Sequence, residues 1–357
     1  MKTVRFENNS GLNFAAALRK NVNNYFKEKN ISTKGDWKML LKSAVMLTFY
    51  IAPYFVLLFL PVPGWMIFPL AILAGMGMAG TGMSVMHDAA HDSFSKKRWL
   101  NKLLSGTMYI IGGNVFNWKV QHNVMHHTYT NIEGFDEDIA TKTVIRLSKH
   151  APLKKFHRFQ HWYALFFYSL MTLSKLFSDF RQLWKYNKSG ITKQQNAKPS
   201  VEYMKLIGTK AVYIFSAIVI LLLFTHLAWW LILLGFLVMH FTASMIMSVV
   251  FQMAHIVEGA DQPLPGKSGN MENEWAIHEL NTTINFSPQN HFLTWIIGGL
   301  NFQIEHHLFP NICHIHYRKI SPIVERTAME FGVNYNRNAS FISAMGSHMR
   351  TLKTLGR

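Results

Sequence analysis

Residues 43–87 read SAVMLTFYIAPYFVLLFLPVPGWMIFPLAILAGMGMAGTGMSVMH and contain no Asp, Glu, Lys or Arg. A second charge-free gap covers residues 211–257. A bilayer core takes about 20 apolar residues at roughly 1.5 Å of helix rise each. The gaps hold four runs near that length, 43–60, 65–86, 211–227 and 230–253, arranged as two hairpins. A soluble protein with buried helices would not need two gaps this long. The spacing therefore predicts an all-α integral membrane protein with four transmembrane helices in two hairpins and a cytoplasmic helical cap.

Charge sets the expected orientation. The tight connections, 61–64 and the region of 225–230, carry no basic residue, so all 36 Lys and Arg lie in the N-terminal arm, the central loop or the C-terminal part. The positive-inside rule places those three regions, with both termini, in the cytoplasm, and Trp65, Trp229 and Trp230 in an interfacial belt. The apolar stretches 103–116 and 162–173 are too short to span and read as interfacial segments. The net charge of +17 flanks membrane segments, as in Lys96-Lys97-Arg98, and so reads as topology and attraction to anionic membrane lipids rather than nucleic-acid binding. It would also attract an acidic redox partner. The lone Cys313 excludes an intramolecular disulfide and a zinc ribbon. The charged start is unlike a secretory signal peptide. The chain reads as one membrane domain, 1–357: an arm (1–42), a hairpin (43–86), a loop (87–210), a hairpin (211–253) and a C-terminal region (254–357).

Eighteen histidines point to imidazole chemistry. His87 and His91 begin where the second run ends; His122, His126 and His127 follow in the same loop; Gln303, His306 and His307 come after the fourth run. Positions i and i+4 of a helix lie on one face, about 5–6 Å apart at Cβ, so His87/His91 and His122/His126 could each clamp one ion. The adjacent pairs His126/His127 and His306/His307 point apart, so one member of each could reach a second ion. Such a nitrogen-rich site suits Fe, Zn or Cu, and its ligands exceed one coordination shell. Asp88, Asp92, Asp136, Asp138 and Glu305 lie among the clusters and suit the role of orienting a ligating His through its other nitrogen. Glu133 and Glu137 read as capping or solvated charges. His278 and His291 are candidate outer donors; His226 falls on the far face; His150, His157, His161, His314, His316 and His348 read as surface or interface residues.

These clusters and hairpins resemble the integral-membrane fatty-acyl desaturases over essentially the whole chain. The stretch Gly-Gly-Leu-Asn-Phe-Gln-Ile-Glu-His-His-Leu-Phe-Pro, residues 298–310, resembles the front-end subgroup, which desaturates between an existing double bond and the carboxyl end. The resemblance implies a non-haem centre of two iron ions, O₂ as co-substrate, and a long-chain, already unsaturated acyl lipid or acyl-CoA as substrate, commonly an 18-carbon Δ6 case. It implies iron ligands at His87, His91, His122, His126, His127, His306 and His307, with His255 matching a further family histidine. Gln303 stands where other desaturases have a histidine, and ligation directly or through water both stay open. No His-Pro-Gly-Gly haem box occurs, so electrons are expected from a separate ferredoxin or cytochrome b5. This resembles bacterial members of the family, in an inner membrane. The alternatives are a related hydroxylase or ketolase, a sphingolipid desaturase or, from another class, a metal transporter or sensor.

Overall fold

The computed structural model describes residues 4–8, 13–140 and 144–357; parts of the expected N-terminal arm (1–3 and 9–12) lie outside them. Four helices are long and apolar enough to cross a membrane: Trp37–Phe59, Gly64–Ala90, Pro199–Phe224 and Trp229–His255. Among the described residues the other regular elements are helices, apart from an isolated bridge and two-residue strands, Asn285–Phe286 and Arg337–Asn338, which pair in parallel; turns and loops connect them. The all-α membrane fold expected from the charge gaps is the observed one.

The helices outrun the gaps. The first starts at Trp37, where Asp36 caps it by accepting from the Lys38 amide at 2.9 Å, and the third starts at Pro199, well before residue 211. A charge-free gap marks the length that hydrocarbon tolerates, whereas a helix continues until its caps or its prolines stop it. The stretches 103–116 and 162–173 form no span-length apolar helix. The first breaks into Arg98–Ser105, Thr107–Ile110 and Val115–Trp118; the second is shared between Gln160–Tyr168 and Met171–Lys188.

The second spanning helix sits inside the bundle. At Gly77 a Cβ would come within 2.2 Å of the Tyr50 amide nitrogen, so only glycine admits the first helix this closely. The fourth helix packs along the second, bringing His87 and His255, each at a helix C-terminal end, to one side.

The cap closes over that side. The helix Phe14–Glu28 buries Phe14, Leu18, Val22 and Phe26, spaced four apart on one face. They pack with Phe302, Ile304, Ile320 and Val324 in one cluster, each large side chain contributing roughly 1.5–3 kcal/mol. The arm thus braces the third histidine cluster from behind.

Candidate metal centre

Three folding details aim the histidines. The π-helical turn Thr81–Met86 leads directly into His87, and a second π-helical segment, Lys119–His126, carries His122 and His126. Such turns shift the side-chain period from that of an α-helix. The third detail is Gly298, at φ 67°, where a Cβ would stand 2.3 Å from the Met83 carbonyl oxygen. Glycine there lets residues 298–310 dock against the π-helical turn, so that His306 and His307 come beside His87 and His126.

The result is two groups that could each hold a cation. His87, His91, His122 and His306 form one; His126, His255 and His307 form the other, while His127 joins His306 and His307 between them. Nε2 of His127 lies 3.0 Å from Nε2 of His306 and 3.2 Å from that of His122, which is 3.2 Å from Nε2 of His87. The expected His87/His91 pair shares a group. The expected His122/His126 pair also shares a set, with Asp138, while Nε2 of His122 turns to the first group and His126 joins the second. Their segment is π-helical, which lets the two rings serve different groups.

Buried nitrogens without a partner test the fit to a metal. Nε2 of His91, His126 and His307, and both nitrogens of His255, have no hydrogen-bond partner. Leaving these polar atoms dry costs on the order of 1–3 kcal/mol each, a cost a cation bound to their lone pairs would remove. Burial, reinforced by neighbouring imidazoles, holds His91, His127, His306 and His307 well below the ordinary histidine pKa. Burial also takes His122 down to about 3. Neutral imidazole is the ligating form. His126 differs: burial lowers it, but the carboxylates around it, Asp136 first and then Asp138 and Glu279, together outweigh this and raise it to about 9.

Of the five expected carboxylates, three stand beside histidines and two turn elsewhere. Asp136 accepts from Nδ1 of His126 at 3.0 Å, and Asp138 lies 3.8 Å from Nδ1 of His122. Asp88 lies 3.9 Å from Nδ1 of His87 and accepts from Nδ1 of His314 at 2.9 Å. Asp92 is exposed at φ 55°, just past the helix end, and is in none of the candidate groups. Glu305 is buried but turns from the histidines to accept from Asn285 and the Tyr335 hydroxyl, both at 2.8 Å. Burial pushes its pKa up to about 7. Glu137, read as a solvated charge, accepts from Gln182 at 3.0 Å and from Tyr186.

Sequence reading missed Glu279. Nδ1 of His307 donates to it at 2.7 Å, and Thr130 donates to it at 2.9 Å. No motif marks it, because it comes from the separate helix Trp275–Thr282. His314, His316, His157 and His348 are buried rather than superficial. His314 also meets Nζ of the buried Lys42 at 2.8 Å. His278 donates to the Thr130 carbonyl at 2.9 Å, while His291 is exposed. His226 is exposed in the connection to the fourth helix, at the end opposite His255.

A model of the family "Fatty acid desaturase" matches residues 63–339. The chain belongs to the fatty acid desaturase family. It is 34% identical to the sn-1 linoleoyl-lipid 6-desaturase of Arthrospira platensis, over 96% of this chain and 93% of that protein. It is 32% identical to the protein of the same name from a Synechocystis strain, over 99% and 98%. An acyl-lipid (8-3)-desaturase of Physcomitrium patens is 31% identical over 99% of this chain and 74% of its own length. The chain is thus a fatty-acyl desaturase, an oxidoreductase, and the transporter reading falls away.

In this desaturase a cavity of about 290 Å³ reaches the histidines. His87, His122, His306 and Gln303 line it on one side; Met78, Met83 and Met247 are among its apolar walls. Gln303 is thereby beside the first histidine group and buried. A second cavity, about 250 Å³, lies among the spanning helices, lined by Tyr50, Tyr213 and Phe236 and by none of the histidines. The first is the one positioned for chemistry.

Proposed function

We propose that this desaturase introduces a cis double bond on the carboxyl side of an existing one in a long-chain, 18-carbon-type acyl group, at the Δ6 position. The observation that carries the reading is an apolar cavity ending on histidines whose buried nitrogens converge in two groups. Two iron ions would be held there, one by His87, His91, His122 and His306, the other by His126, His255 and His307, with His127 between them and Gln303 at the cavity edge. That pair would supply reduction of O₂ and hydrogen abstraction from an unactivated C–H bond. Two hydrogens from the acyl chain, O₂, two electrons and two protons then balance as one alkene and two waters. The residues around the site hold the acyl chain, exclude bulk water and orient imidazoles: Asp136 on His126 and Glu279 on His307. The electrons come from a separate carrier, a ferredoxin or a cytochrome b5. Both termini and the histidines face the cytoplasm, given where the basic residues lie.

The names of the cyanobacterial relatives support a linoleoyl lipid as substrate. The test is expression of the full chain in a host supplied with linoleate, with double-bond positions read by mass spectrometry. A new bond at C6 is expected. A hydroxylated or keto product, or a bond on the methyl side of C12, would overturn the reading.

A further inference from the structure

Desaturation at a position counted from the carboxyl end requires that end to be held at a set distance from the oxidising centre. For the sixth carbon this distance is roughly 6 Å of extended chain, by ordinary C–C bond lengths. The ester carbonyl must therefore enter the same cavity as the histidines, where an unpaired carbonyl is costly. The cavity needs a donor close to the first histidine group.

Among the residues lining it, Lys175 alone carries a fixed positive charge. Its Nζ donates to Gln121 Oε1 at 2.5 Å and to Gln182 Oε1 at 3.3 Å. Gln121 precedes His122 in the chain, which joins the lysine to the histidine group by one side-chain bond and one residue step. An ammonium group has three N–H donors. Two meet amide oxygens. The nearby carboxylates, Asp138 in the same cavity wall and Glu137, are taken up by the amide nitrogens of Gln121 and Gln182. Among the described residues none forms an ion pair with Lys175, which leaves the third donor for a ligand. Gln182 is held in turn by Tyr186 at 2.7 Å and Glu137 at 3.0 Å, so the lysine rests on a buttressed polar wall. A free surface lysine has no such wall.

Resting on the carboxyl-side reading above, we infer that Lys175 is the anchor for the acyl ester carbonyl, and that the anchor sets the position of the double bond. Its ligand is a neutral carbonyl beside a polar head, from a glycerolipid ester or a thioester; comparing the two substrates separates the sources.

The experiment uses the full chain in membranes, supplied with C9-unsaturated acids of 16, 18 and 20 carbons, comparing wild type, Lys175→Met and Lys175→Arg. Wild type is expected to place the new bond at one distance from the carboxyl end for all three lengths. Lys175→Met is expected to spread it over neighbouring positions, and Lys175→Arg to restore most of the single position. An unchanged position in Lys175→Met, whatever its rate, overturns the inference and leaves the carboxyl-side reading standing. If the wild-type bond instead moves with chain length, that reading fails and the anchor with it. Should Lys175→Met yield no product, binding of radiolabelled lipid to the purified chain replaces the product readout. Wild type is expected to prefer a linoleoyl ester lipid over its ether analogue by on the order of tenfold, the value of a hydrogen bond to a charged donor, and Lys175→Met to lose that preference. The same preference in both proteins overturns the inference.

Discussion

The two histidine groups are built differently. The group of His126, His255 and His307 is wholly buried and backed by carboxylates, Asp136 on His126 and Glu279 on His307. His87, His122 and His306 of the other group line the cavity of about 290 Å³. That group's carboxylates stand farther back, Asp138 3.8 Å from Nδ1 of His122 and Asp88 3.9 Å from that of His87, and Nδ1 of His306 meets only the neutral Tyr317 hydroxyl at 3.2 Å. Carboxylates that accept from a ligating imidazole raise its basicity and fix its tautomer. On the function proposed above, the closer carboxylates would make the buried group the tighter metal holder, and the group at the cavity would face the substrate.

The strongest challenge to this division is to remove one ligand from each group. His307→Ala and His306→Ala are each expected to abolish product while the protein still inserts in the membrane. Iron per chain should fall from about two to about one in each, by the ligand arithmetic of closed and open sites. Mössbauer spectra of the two variants should show different surviving irons. The same surviving spectrum in both would erase the distinction.

A finer test acts on the backing groups. Asp136→Asn and Glu279→Gln should weaken metal retention by about 10–100-fold, the usual range for losing an orienting carboxylate. Tyr317→Phe should do so by less than about tenfold. Competition with a chelator, followed by metal analysis, measures all three. A larger effect in Tyr317→Phe than in the acidic pair would reverse the assignment.

A last test leaves the ligands intact and concerns support of the buried group. His348 donates from Nδ1 to the Ile256 carbonyl at 2.7 Å, pinning the residue after His255, and meets the Tyr168 hydroxyl at 3.1 Å. Burial lowers its pKa to about 4, against about 6.5 in an unfolded chain. Between these values the unfolded state binds more protons, so stability falls as pH drops through the window. Linkage puts the loss at about 2 kcal/mol by pH 5. Thermal unfolding in detergent at pH 7 and pH 5 should show it, and His348→Gln should flatten the dependence. An equal slope in the variant would release His348 from this role.

Much of the fold was legible because hydrocarbon imposes a length and forbids charge, and both constraints act on contiguous residues. The histidine clusters were visible for a similar reason, since His87/His91 and His306/His307 are local patterns. Reading failed where neighbours in space are remote in sequence. Glu279 reaches His307 from another helix, and Thr130 meets it across 149 positions. Asp92 and Glu305, close in sequence to ligand candidates, turn elsewhere because a helix end and an Asn285–Tyr335 pair claim them.

By itself, then, the sequence determined the spanning helices, the side on which the histidines gather and the imidazole character of the centre. Only the tertiary structure decided which histidine enters which group, which carboxylates stand behind them and where the acyl cavity meets them. The physical reason is one of range. Span length and helical period depend on adjacent residues, whereas the nitrogens of each group, which lie within 4.8 Å of one another, come from segments far apart in the chain. Close packing of the second and fourth helices, the π-helical turns and the bend at Gly298 together bring them there.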